Sequence, residues 1–92
     1  MDNEEIIKKI LNSTYLKSIY IYAVKNKYFM QKDIIHHTPI KYPGHLSQSL
    51  KELRIMKLIK LENPNDKNYK RYQTTKKAYI LQEEIEKYGN LD

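Results

Sequence analysis

LSQSLKELRIMKLIKLENPNDKNYKRYQTTKKAYIL, residues 46 to 81, decides how this chain is read. Leu46, Leu50 and Leu53 recur at the three- and four-residue spacing of one helical face. The run LIKLE then changes the period, and residues 63–68 combine proline, aspartate and three asparagines, a strong turn signal. YKRYQ supplies the returning arm, so the stretch reads as a helix feeding a two-stranded hairpin with Ile59 and Leu61 on one arm and Tyr72 opposite them. Thr75 is expected to cap a final helix through about Tyr88 that buries Ala78, Leu81 and Ile85, with Gly89 as its stop.

Working outward, Pro43-Gly44 starts the central helix, expected over residues 44–56, and Thr38-Pro39 stops the helix before it. That preceding helix, Gln31 to His37, buries Ile34 and partly covers Ile35, and Tyr28 to Met30 reads as a short extended link. Upstream, Leu16, Ile19, Tyr20 and Ala23 define a helix over about residues 14–26, which Asn12, Ser13 or Thr14 can cap. Ile6, Ile7, Ile10 and Leu11 form the stripe of a first helix, with Asp2, Glu4 and Glu5 in the turn where the helix dipole favours acids. The expected architecture is a single domain over residues 1–92, mainly α with a small β-hairpin: a three-helix core plus N- and C-terminal helices.

Composition bounds the function. Ninety-two residues with 40% hydrophobic content suffice for one modest core. No run approaches the roughly 20 apolar residues of a membrane span, and residues 1–12 mix acids with lysines, so a soluble, cytoplasmic protein is expected. Cysteine is absent, which removes disulfides and thiolate ligands. No cofactor, metal site or catalytic constellation is expected: there are only two glycines for a phosphate loop, and the acids fall on exposed helical faces. His36 and His37 are adjacent and diverge by about 100° on a helix, which does not suit a shared metal. The nine tyrosines, four of them at positions 15, 20, 22 and 28, are read as packing residues rather than a ligand pocket.

The net charge of +6 is unevenly placed. Residues 41–77 hold ten Lys or Arg against three acids, a net of +7, whereas residues 1–40 carry +2 and residues 78–92 carry −3. Positive charge gathered on a groove-sized element is what phosphate neutralisation requires, because each cation that displaces a condensed counterion adds affinity. A solvated lysine-rich surface is the plainer interpretation, and it is the clustering that argues against it.

At SQSLKELRIMKLIKLENPNDKNYKRYQTTKKAYILQEEI the sequence resembles the winged helix-turn-helix regulators of the ArsR, MarR and HxlR type. Ser47, Leu50, Lys51, Leu53, Leu58, Ile59, Tyr72 and Thr75 match their pattern, and the resemblance extends loosely back to Asn12. Lys57 stands where those proteins usually have glycine, and Thr74 and Ala78 replace their leucine and glycine. The resemblance implies a DNA-binding transcriptional regulator whose helix 44–56 enters the major groove and whose hairpin, residues 59–74, is a wing on the backbone or minor groove. On chemistry, Gln48 is the best base reader, since its amide can pair bidentately with adenine, and His45, Lys51 and Glu52 could each reach a base edge. Lys41, Arg54, Lys67, Lys70 and Arg71 are expected on phosphate. A homodimer is expected, with Ile6, Ile7, Ile10, Leu11, Ile80 and Tyr88 as its contacts. The alternatives are a non-specific architectural binder of nucleic acid and a winged-helix protein interaction module.

Overall fold

Asp2 accepts a hydrogen bond from the backbone N–H of Glu5 at 2.9 Å and so starts α1, Asn3–Asn12. The computed structural model describes residues 2–88. A single residue separates the first two helices: Ser13 ends α1 in an extended conformation, and its hydroxyl caps α2, Thr14–Lys25, through the Leu16 N–H at 3.2 Å. Three residues of strand, β1 (Tyr28–Met30), lead into α3, Gln31–His37. Thr38 terminates α3 with both its N–H and its hydroxyl on the Ile34 carbonyl, at 2.9 and 2.6 Å. Buried Ile40 then anchors the connector to α4, Pro43–Ile55. Proline suits the first position of α4, where its missing N–H would have had no helical partner. β2 (Ile59–Leu61), β3 (Arg71–Thr74) and α5 (Lys76–Tyr88) complete the chain.

The fold is mainly helical with a small antiparallel sheet, and the helices agree with the apolar periodicity to within a residue or so. The sheet departs from expectation. Residues 28–30 form a third strand rather than a link, and the strand order is β1-β3-β2. Phe29 lies opposite Tyr72 and Leu61 lies opposite Tyr72 from the other side, so β3 is central. The Phe29 and Tyr72 rings stack with centroids 5.6 Å apart, which gives this pairing an apolar driving force as well as its backbone bonds.

The core runs through all five helices. Ile6, Ile10, Ile19, Ile34, Leu46, Leu53, Leu58 and Ile85 are each fully buried, and α2 packs against both α1 and α4. The few interior polar groups are satisfied. Tyr20 donates to the Ala78 carbonyl at 2.7 Å, and Thr74 donates to the Ala23 carbonyl at 2.5 Å. Among the described residues no buried side-chain nitrogen or oxygen lacks a hydrogen-bond partner.

Three further expectations are corrected here. Ile6, Ile7 and Ile10 are interior residues of this chain, packed with the rest of the core, and so offer no surface to a second copy. Leu11 and Ile80 are exposed, and the Tyr88 side chain and Gly89 lie outside the described residues. Ile35 is more open than a partly covered residue, at 43% exposure. Thr75 precedes α5 but does not cap it through its side chain. Its hydroxyl donates to the carbonyls of Lys57 and Leu58, at 2.7 and 3.0 Å, and fastens α5 to the end of α4.

Candidate nucleic-acid interface

α4 buries Leu46, Ser49, Leu50 and Leu53, which fixes what the rest of the helix presents. At about 100° per residue the opposite side carries Gly44, Gln48, Lys51 and Ile55, all of them exposed. The two flanks differ because different elements border them.

One flank faces the start of α3 and the returning arm of the hairpin. Ser47, Lys51 and Arg54 line a cleft of about 260 Å³ there with Gln31, Lys70 and Tyr72. Tyr72 forms its inner wall. Burial pushes the Tyr72 phenol above its ordinary pKa, and the nearby Arg54 guanidinium opposes that rise by favouring the phenolate. Gln31 and Lys70 also border an adjoining cleft of about 300 Å³ with Lys32, Lys67 and Tyr69, floored by Met30 and Ile35. Lys32 Nζ sits 5.8 Å from the Tyr69 ring centroid.

The other flank turns toward α1 and α2. The His45 ring lies 5.0 Å from that of Tyr15 and 5.5 Å from that of Tyr42. Glu52 is half-buried in a depression with Lys8, Lys9, Ser13 and Leu16. The structure therefore brings Lys51, Arg54 and Lys70 together, puts Gln48 beside them on the exposed stripe, and leaves His45 and Glu52 on the far side of the helix. Lys67 joins the group through the adjoining cleft. Arg71 is exposed, and the alternation of β3 directs it away from the face on which Tyr72 is buried. Lys41 is exposed in the connector before α4.

Electrostatically the group is uncompensated. Among the described residues the ion pair present is Glu4 with Lys8, at 3.6 Å, on an exposed turn of α1. Among the described residues, Lys51, Arg54, Lys67 and Lys70 have no carboxylate within 4 Å. Such a set raises the local potential and attracts polyanions.

The hairpin is held in shape by two polar residues. Asn63 spans its arms, donating to the Tyr69 carbonyl at 2.6 Å and accepting from the Arg71 N–H at 2.8 Å. Asp66 accepts from the N–H groups of Asn68 and Tyr69, both at 2.9 Å. Those two bonds, Tyr69 first, hold its carboxyl below the usual range, so it remains a charged acceptor. The Gln31 N–H donates to the Lys70 carbonyl at 3.1 Å and ties α3 to the returning arm.

Sequence reasoning missed Ser47, Gln31, Lys32 and Tyr69 as lining residues. Ser47 was accessible to it, being four residues before Lys51 and seven before Arg54 on one flank. Gln31, Lys32 and Tyr69 were not, because their proximity follows from the pairing of β1 with β3. No three His, Asp or Glu side chains converge on one point among the described residues; His37 stacks on Tyr22 with ring centroids 5.6 Å apart.

In comparison with known proteins, the chain matches no family model, no curated protein and no solved structure. No helix among the described residues is long and apolar enough to cross a membrane.

Proposed function

We propose that this protein is a DNA-binding transcriptional regulator of the winged helix-turn-helix type. In this reading α3 and α4 are the helix-turn-helix, α4 enters the major groove, and the β2–β3 hairpin is a wing on the adjacent backbone or minor groove. The observation that carries it is the convergence of Lys51, Arg54 and Lys70 on one cleft, with no carboxylate partner among the described residues, beside the exposed stripe that holds Gln48. A major groove about 12 Å wide admits a helix, and flanking phosphates then fall where these cations lie. Gln48 serves base readout through its amide; Arg54, Lys67 and Lys70 serve position. Lys51 stands at the border and serves either. If Lys51, Arg54, Lys67 and Lys70 each neutralise one phosphate, log K falls with log salt at a slope of about −3.6.

A symmetric regulator places two copies on a palindrome, and Leu11 on α1 and Ile80 on α5 are exposed apolar residues of the terminal helices available for pairing. The test is selection from a random duplex pool with sequencing, at two salt concentrations. An enriched motif that survives the higher salt supports the proposal, and its symmetry reports how many copies bind. Salt-sensitive binding without a motif would replace it with an architectural role, and absence of binding would reject nucleic acid as the partner.

A further inference from the structure

The exposed stripe of α4 has a chemical order along its length. Gly44, Gln48, Lys51 and Ile55 follow one another at spacings of four, three and four residues and span about 16 Å. Gly44 presents no side chain, and a Cβ built there would meet nothing within 4 Å. Gln48 offers an amide and Lys51 a cation. Ile55 ends the stripe as its one aliphatic side chain, 65% exposed, next in sequence to Arg54 of the cationic cleft and with Lys51 one turn before it. Ile6, Ile10, Ile19, Ile34 and Ile85 are buried, and the exposed Ile35 and Ile80 lie on α3 and α5, so Ile55 is the exposed isoleucine of α4.

We infer that Ile55 reads a thymine: its side chain packs against the C5-methyl group of a thymine in the same half-site whose adenine Gln48 pairs. Two facts choose this occupant. The charge around Ile55 selects a polyanion, and within a DNA major groove the thymine methyl is the apolar group that an aliphatic side chain recognises. Gln48 and Ile55 lie seven residues apart and within about 20° of one another around the helix, so they address points about 10 Å apart on the same line. At about 3.4 Å per base, that is about three base pairs. The inference rests on the proposed entry of α4 into the major groove.

Uracil differs from thymine only by that methyl group, so the experiment substitutes uracil for thymine one position at a time in the selected duplex. Affinity is measured for the wild-type chain, Ile55→Ala and Gln48→Ala. The expected result is one position, about three base pairs from the Gln48-dependent adenine, where uracil weakens wild-type binding about fourfold, the change corresponding to one buried methyl group. Ile55→Ala binds thymine and uracil equally there, whereas Gln48→Ala keeps the discrimination. Thermal unfolding confirms that Ile55→Ala is folded, as expected for an exposed site. Equal binding of every uracil duplex by the wild type, or discrimination that persists in Ile55→Ala, overturns the inference while leaving major-groove binding intact. Failure to bind any duplex overturns both.

Discussion

Lys57 has a φ of 62°, in the left-handed region where an L side chain crowds its own backbone. The position is forced. The Lys57 N–H donates to the Arg54 carbonyl at 2.9 Å and the Leu58 N–H donates to the Leu53 carbonyl at 3.0 Å, the bond pair of a Schellman turn, which places Lys57 one residue beyond the C-cap Met56. Leu58 and Leu53 are both fully buried, so the turn delivers β2 with its first side chains already in the core. Glycine adopts this conformation without the Cβ penalty, which amounts to about 1–2 kcal/mol for an L residue. It also loosens the unfolded chain, at a cost of about 0.4–1 kcal/mol. Lys57→Gly should therefore stabilise the protein by about 0.5–1 kcal/mol, a rise in melting temperature of about 3–6 °C for a domain of this size. Thermal unfolding by circular dichroism reads the effect, with Lys57→Ala as the companion variant. Alanine removes the same charge but keeps the Cβ, so it should give little or none of the gain. Equal shifts for glycine and alanine would assign the effect to charge repulsion, and a loss of stability in the glycine variant would refute the strain argument outright.

Three more outcomes follow from other contacts. Tyr20→Phe removes a buried 2.7 Å hydrogen bond to the Ala78 carbonyl and should cost about 1–2 kcal/mol in denaturant unfolding. Burial raises the Tyr20 phenol pKa above its unfolded value near 10, so its stabilisation is complete below about pH 10 and is lost as pH climbs above it; the phenylalanine variant should show a shallower alkaline decline, and an unchanged slope would contradict this. Asn63→Ala deletes both side-chain bonds that span the hairpin arms and should speed amide exchange at Arg71 by about fivefold or more while the N–H groups within α2 stay protected; uniform acceleration would mean that the hairpin does not open by itself. Arg54→Ala should flatten the log K against log salt slope by about 0.9 without altering the preferred sequence, and a changed preference would move Arg54 from phosphate to base.

How far the fold was legible depends on how local its cause is. α2, α4 and α5 declare themselves because their buried residues recur within one helix, and the turn at Asn63 to Asn68 is fixed by its own side chains. β1 could not be read, since three residues at Tyr28–Met30 become a strand only by pairing with Arg71–Gln73, more than 40 positions away. The stripe of Ile6, Ile7 and Ile10 was visible, but an apolar stripe does not name its partner; α2 and α5 of the same chain cover it. The candidate site divides in the same way. The charge of Lys51, Arg54 and Lys70 was plain in the sequence, while the assignment of Glu52 and His45 to the α1 and α2 side required knowing which neighbour borders each flank of α4. Thr74 was visible only as a departure from a leucine, and its use, closing the end of α2 through the Ala23 carbonyl, is tertiary.

The central position of β3 has a mechanical consequence. A hairpin attached by one edge could swing about its base, but here the returning arm is also bonded to β1 and clamped to the first residue of α3 through the Lys70 carbonyl. The returning arm is thus fastened from a second side and keeps its place beside β1 and the start of α3 through bonds within the chain. In the proposed reading, a DNA duplex meets a hairpin arm already in place, which spares the cost of ordering it on binding.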